Sequence, residues 1–306
     1  MTILSLLKIF LILLPGVYFG RKNIIDEKQC EGISSIVVNI AWPCLVITAL
    51  QMDFSETLLI NSGLLAGAFV AASVLAYAVG MVLCRFLKTD DQITYLIIYM
   101  FLFSNTGFMG IPVCETLYGE EGVFYAALMD SLSDVFVFTV GTFLVKKSMG
   151  VTIKNNPKEL ITPGLISIVI GVTLFLLDIK LPVVLGETMA TVGGITTPLA
   201  MFIIGYKLGK MKIKDMLGDR TAYIVSGFRL LVLPAIVVLA LWGFGVEMTI
   251  LTKVIAMETA MPVATCTVIF VEQYKGNTAF ASKCVLLSTL LSVLTIPIFA
   301  MLLEVL

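Results

Sequence analysis

Apolar residues run in long blocks along nearly the whole chain, separated by short polar connections. A helix needs about 20 apolar residues to cross a hydrocarbon core about 30 Å thick. Ten blocks meet that reading: 1–20, 32–52, 58–84, 93–117, 122–145, 160–177, 182–206, 221–243, 248–271 and 279–303. The pattern predicts an all-α polytopic membrane protein. The longest polar connection, Lys146 to Glu159, is a natural midpoint and divides the chain into two five-helix repeats, 1–150 and 151–306. The first block lacks a basic start and an A-x-A cleavage site, so it reads as a span and not as a removable signal. Lys8 within it reads as a lysine snorkelling to the interface.

Two blocks are interrupted. Span 4 carries Ser104-Asn105-Thr106-Gly107-Phe108-Met109-Gly110-Ile111-Pro112, and span 9 carries Glu258-Thr259-Ala260-Met261-Pro262. Proline removes a backbone donor and glycine loosens a helix. Breaks in lipid survive only where protein or a water-filled cavity satisfies the freed groups. Paired breaks in corresponding positions of two halves point to a transporter's binding site. The halves match further: Pro43 in span 2 is answered by Pro198 in span 7, and Pro112 by Pro262. Tyr118-Gly119 in the first half is answered by Tyr274-Lys275-Gly276 in the second, although the spacing from proline to tyrosine differs. Five spans per half is odd, so the second repeat enters the membrane inverted.

Composition narrows the chemistry. The chain is 59% hydrophobic and 13% charged, which excludes an ordinary soluble domain. Histidine is absent, which removes His-based triads, H-E-x-x-H zinc sites and imidazole relays. The six cysteines form no C-x-x-C pair and signal neither a disulfide framework nor a metal site. No nucleotide-binding loop or nucleic-acid patch occurs. The connections after spans 1, 3, 5, 7 and 9 hold 15 of the 20 basic residues, whereas those on the other side hold only Lys180. The positive-inside rule therefore places the odd connections in the cytoplasm and both termini outside.

Asn105 lies 12 residues into span 4, roughly 18 Å deep and near the midplane. Its amide both donates and accepts. Freed backbone N–H groups and a half-helix N-terminus beside it favour an anion, and capping of the broken helix is a compatible role. Glu258 lies at similar depth in span 9 and suits either a proton carrier or a cap on the second break. Asp130 and Asp134, four residues apart in span 5, share a helix face. They suit cation binding, proton relay, or a salt bridge with Lys283 or Arg229. Gly63-x-x-x-Gly67 permits close helix packing, a common spacing from which no dimer is read.

Asn105-Thr106-Gly107-Phe108-Met109-Gly110-Ile111-Pro112 resembles the fourth-span signature of the auxin efflux carrier family, which includes plant PIN-type carriers and bacterial malate or malonate permeases. Ala260-Met261-Pro262 with Glu272-Gln273-Tyr274, and Leu181-Pro182, Pro198-Leu199-Ala200, Gly205 and Leu208-Gly209, extend the resemblance over the whole chain. The resemblance implies a ten-span inverted repeat related to bile-acid symporters and sodium/proton antiporters. Spans 4 and 9 there cross at their breaks. Spans 1, 2, 6 and 7 form a scaffold, usually dimeric, and spans 3–5 and 8–10 form a moving transport domain. It also maps carboxylate binding onto Asn105 and the crossing prolines onto Pro112 and Pro262. The long insert of the plant carriers between spans 5 and 6 is a short basic loop here, so a prokaryotic-type permease is expected.

These readings converge on a secondary transporter of a mono- or dicarboxylate in the cell membrane. No cofactor is expected beyond possible coupling to H⁺ or Na⁺. The expected substrate site is Asn105, Thr106, Gly107, Gly110, Pro112, Thr259, Pro262 and Thr265, with Glu258, Asp130, Asp134 and Lys283 as coupling candidates. Two rivals stand beside it. One is a membrane sensor that binds the same ligand without moving it. The other is an intramembrane prenyltransferase, in which Asp130-x-x-x-Asp134 would hold magnesium diphosphate; Asp90-Asp91 does not resemble the second motif that site requires.

Overall fold

The computed structural model describes residues 2–148, 162–210, 219–273 and 276–306, and the side chains of these except residues 2–5, 9 and 273. Most of the midpoint connection, with Lys154 and Lys158, lies outside the described residues, as do Lys212, Lys214, Tyr274 and Lys275. The described chain is helical, apart from one isolated bridge between Ser104 and Val263.

Among the described residues, six helices are long and apolar enough to cross a membrane: Glu27–Ala49, Glu56–Leu87, Thr106–Ser148, Val183–Lys210, Arg220–Gly243 and Thr278–Val305. The helix Thr2–Lys22 covers the first predicted span. Predicted spans 4, 6 and 9 yield shorter pieces. Span 6 is the helix Pro163–Leu176, started by Thr162, whose hydroxyl caps Leu165 N–H at 3.1 Å. Spans 4 and 9 are each divided at their breaks, into Asp91–Leu102 with the start of Thr106–Ser148, and into Ile250–Thr259 with Cys266–Gln273. Thr106–Ser148 joins the end of span 4 to span 5. It is interrupted at Gly119, whose φ of 63° is a left-handed conformation that a side chain disfavours. Apolar faces turned outward, such as Ile60, Leu64 and Val74 on Glu56–Leu87, are those of helices that meet lipid.

The four wide, π-helical turns among the described residues have local causes in three cases. Val37–Ala41 precedes Pro43, Thr106–Gly110 precedes Pro112, and Phe228–Val232 precedes Pro234, each by the same two-residue step. A proline lacks the N–H for the helical bond and its ring crowds the carbonyl four residues earlier. Widening the preceding turn relieves both. The fourth, Val137–Gly141, has no proline after it.

The described residues form two compact units. One takes residues up to 65, then 107–131 and 162–210; the other takes 66–106, 132–148 and the described residues from 219 onward. Predicted spans 1, 2, 6 and 7 thus belong to the first unit and spans 8–10 to the second, while spans 3, 4 and 5 are shared.

The first unit is held by a seam of four glycines. Gly16 and Gly20 on Thr2–Lys22 meet Gly205 and Gly209 on Thr196–Lys210. A Cβ on Gly16 would lie 2.8 Å from Tyr206 N, and one on Gly205 would lie 2.9 Å from the Leu13 carbonyl carbon. Both helices carry the G-x-x-x-G spacing that lets backbones touch in a membrane. Gly63 and Gly67, the pair conspicuous in sequence, have nothing within 4 Å of an added methyl. Elsewhere in this unit, Lys180 pairs with Asp53 at 3.0 Å and donates to the carbonyls of Gln51 and Met52, at 3.1 and 2.8 Å. This ties two connections on the same side of the bundle.

Candidate functional site

The second unit contains Ser104, Asn105 and Thr106 of the first break and all of the second break, and there the two pair. The helix Asp91–Leu102 ends at Phe103, which turns extended (φ −112°, ψ 104°). Ser104 and Asn105 follow, residue types that compete poorly as helix formers. Asn105 N–H donates to Pro262 O at 2.8 Å, and Ala264 N–H donates to Phe103 O at 3.1 Å. The two segments run antiparallel at Ser104 and Val263. Each break therefore supplies the hydrogen-bond partners that the other has lost, which is the condition for non-helical backbone at membrane depth. Proline at 262 fits this arrangement because only its carbonyl is used.

Other groups around the second break find partners locally or on further helices. Val263 N–H donates to Ser288 Oγ at 3.2 Å, and Thr267 N–H donates to Ala264 O at 3.1 Å. Arg229, 1% exposed, donates from Nη1 to Thr259 O at 2.6 Å. Behind the crossing lies an apolar cluster of Tyr99, Phe103, Val137, Val145 and Ala264, with Phe270 against it. Ser288→Ala is expected to lower thermal stability by about 1–3 kcal/mol, because it strands the buried Val263 N–H; a thermal unfolding comparison in detergent checks this.

What the crossing leaves unspent is informative. Asn105 is 4% exposed and its Nδ2 has no protein partner among the described residues. The Thr267 hydroxyl is fully buried and likewise unpartnered, and so is Arg229 Nε. An amide donor and a hydroxyl, left over beside a bridge whose backbone is satisfied, suit an anionic oxygen. Thr259 is buried but its hydroxyl bonds Ala256 O at 2.7 Å, within its own helix. Thr265 is half-buried, while Thr106 and Pro262 are buried. Glu258 is 0% exposed, one residue from the carbonyl that Arg229 holds.

Gly107, Gly110, Pro112 and Asp130 belong to the first unit. Asp130 is buried, and its carboxylate lies against Gly107: a Cβ there would stand 3.0 Å from Oδ2 and 3.2 Å from Oδ1. The opening turn of the helix that begins at Thr106 thus already faces an internal carboxylate, favourable at a helix N-terminus. The glycine provides the space for it. Asp134 belongs to the second unit and is half-buried. Lys283 pairs with Asp219 at 3.2 Å, and Asp219 also caps the Arg220 helix through Ala222 N–H at 3.2 Å. That pair stands at the start of two helices.

An all-helical apolar chain with two broken helices joined at buried polar groups is the architecture of a membrane transport protein. The comparison with known families agrees: the chain belongs to the family described as "Membrane transport protein", the auxin efflux carrier family, whose model matches residues 1–159 and 148–300. It is 24% identical over 305 residues to an uncharacterized transporter of Methanothermobacter thermautotrophicus, covering 98% of this chain and 97% of that one. An uncharacterized transporter of Methanocaldococcus jannaschii is 25% identical over 309 residues, with 95% of each covered. The uncharacterized transporter YfdV of Escherichia coli K12 is 23% identical over 226 residues, with 69% of each covered.

Proposed function

We propose that this protein is a secondary active transporter of a small organic anion, a mono- or dicarboxylate. In this reading it works by elevator-type alternating access in the cell membrane. The observation that carries the proposal is the buried Asn105 amide, whose Nδ2 has no protein partner among the described residues, beside two breaks whose backbones bond each other. The substrate carboxylate accepts from Asn105 Nδ2 and from the Thr267 hydroxyl, with Thr106, Thr259, Pro262 and Thr265 around it. The positive end of the Cys266–Gln273 half-helix adds attraction.

Spans 1, 2, 6 and 7 form the scaffold and the homodimer interface, and spans 3–5 and 8–10 move. Basic odd-numbered connections face the cytoplasm, so both termini lie outside. With no histidine in the chain, proton coupling falls to Glu258, Asp130 or Asp134. The purified protein in proteoliposomes loaded with unlabelled carboxylate should draw in labelled carboxylate by counterflow. A protein that binds the carboxylate but shows no counterflow would be a sensor and would refute the transport reading.

A further inference from the structure

Arg229 is the largest fully buried side chain among the described residues. It projects from the wide turn Phe228–Val232, which Pro234 explains without reference to any partner. Its Nη1 reaches Thr259 O, the last carbonyl of the half-helix Ile250–Thr259. The preceding carbonyls are bonded locally: Ala260 N–H takes those of Ala256 and Met257, at 3.2 and 2.9 Å, and Met261 N–H approaches that of Glu258 at 3.4 Å. The arginine therefore meets the last carbonyl of the half-helix, to which no following N–H donates among the described residues. A half-helix C-terminus carries about half a negative charge, and the buried Glu258 is the residue before Thr259. Carbonyl oxygens at such an end, together with a carboxylate, are what transporters use to bind a coupling sodium ion.

We propose that Arg229 is the built-in cation of the crossing. It takes, permanently, the electrostatic place that a sodium ion would take at the Thr259 end. Arginine suits this role because its charge is not lost at any physiological pH and its planar fork leaves donors beyond the one that Thr259 uses. The assignment stands on the geometry of this helix end. Its consequence for transport, that carboxylate binding needs no sodium, rests on the transport reading above. Arg229 is a positioning residue: it holds the Thr259 end of the second break and does not touch substrate.

Thermal unfolding in sodium chloride and in choline chloride of equal ionic strength tests it without substrate. The wild-type midpoint should be the same in both salts. Arg229→Met should unfold at lower temperature in choline and recover about half of the loss in sodium, because the vacated helix end then binds the ion and stabilises the folded state. Arg229→Lys keeps a cation and should be insensitive to sodium. A sodium-stabilised wild type would overturn the proposal. So would an Arg229→Met protein impaired equally in both salts, since a mere brace would behave that way. If Arg229→Met does not fold, the wild-type and Arg229→Lys results decide: stabilisation of either by sodium overturns the proposal, and insensitivity of both supports it. Absent counterflow with these salt results intact would remove the transport reading and leave the assignment of Arg229 standing.

Discussion

Asn105→Ala is expected to weaken carboxylate binding by about 10- to 150-fold, the worth of one hydrogen bond to a charged group. The fold should survive, because the bridge uses the backbone N–H of Asn105 and not its amide. Nδ2 has no protein partner among the described residues, so its removal strands nothing. Asn105→Asp should do more, since a carboxylate in that place repels the ligand's own. Isothermal titration of the purified variants against the tightest-binding carboxylate measures both effects, with the thermal midpoint as the control for folding. Unchanged affinity in Asn105→Ala would take the side chain out of the site.

The largest effect on stability is expected at the glycine seam. Gly205→Val should abolish stable, monodisperse protein. Its Cβ would press on the Leu13 backbone, 2.9 Å from the carbonyl carbon and 3.1 Å from Cα, where no side chain can rotate away. Overpacking costs about 1–3 kcal/mol where side chains yield, and more where two backbones must part. Gly63→Ala serves as the control, because nothing stands within 4 Å of its added methyl. Size-exclusion profiles and thermal midpoints of the two variants should separate cleanly. A well-behaved Gly205→Val would mean that the two helices do not touch through these glycines.

The breaks are legible in the sequence because their chemistry is local: proline and glycine interrupt a helix wherever they stand. Asn105 is legible too, as a polar side chain inside a predicted span. Partners contributed by distant segments are not. Arg229 is the sole arginine inside a predicted span, which is signal enough to single it out. Charge alone pairs it with an aspartate, whereas the structure shows it on a backbone carbonyl. Ser288 and Thr267 carry no signal, since small hydroxyl residues are frequent in membrane helices and commonly bond their own turn. The G-x-x-x-G spacing occurs in three places. Spacing alone cannot say that Gly16, Gly20, Gly205 and Gly209 find one another while Gly63 and Gly67 do not.

Asp130 illustrates a different limit. By charge alone, the acids of span 5 need protons, cations or bases. The structure places the Asp130 carboxylate against Gly107, at the start of the helix where the sequence pattern puts the substrate anion. The substrate's partners are accordingly sought at Asn105 and Thr267 instead of at the Gly107 backbone.

The central claim is that the paired breaks hold a carboxylate. A structure of the protein bound to the carboxylate that most raises its thermal midpoint tests this most directly. The expected result is a carboxylate oxygen within hydrogen-bond distance of Asn105 Nδ2 and the Thr267 hydroxyl, beside the Ser104–Val263 bridge. A ligand bound elsewhere, with the Asn105 amide still buried and untouched, would contradict it.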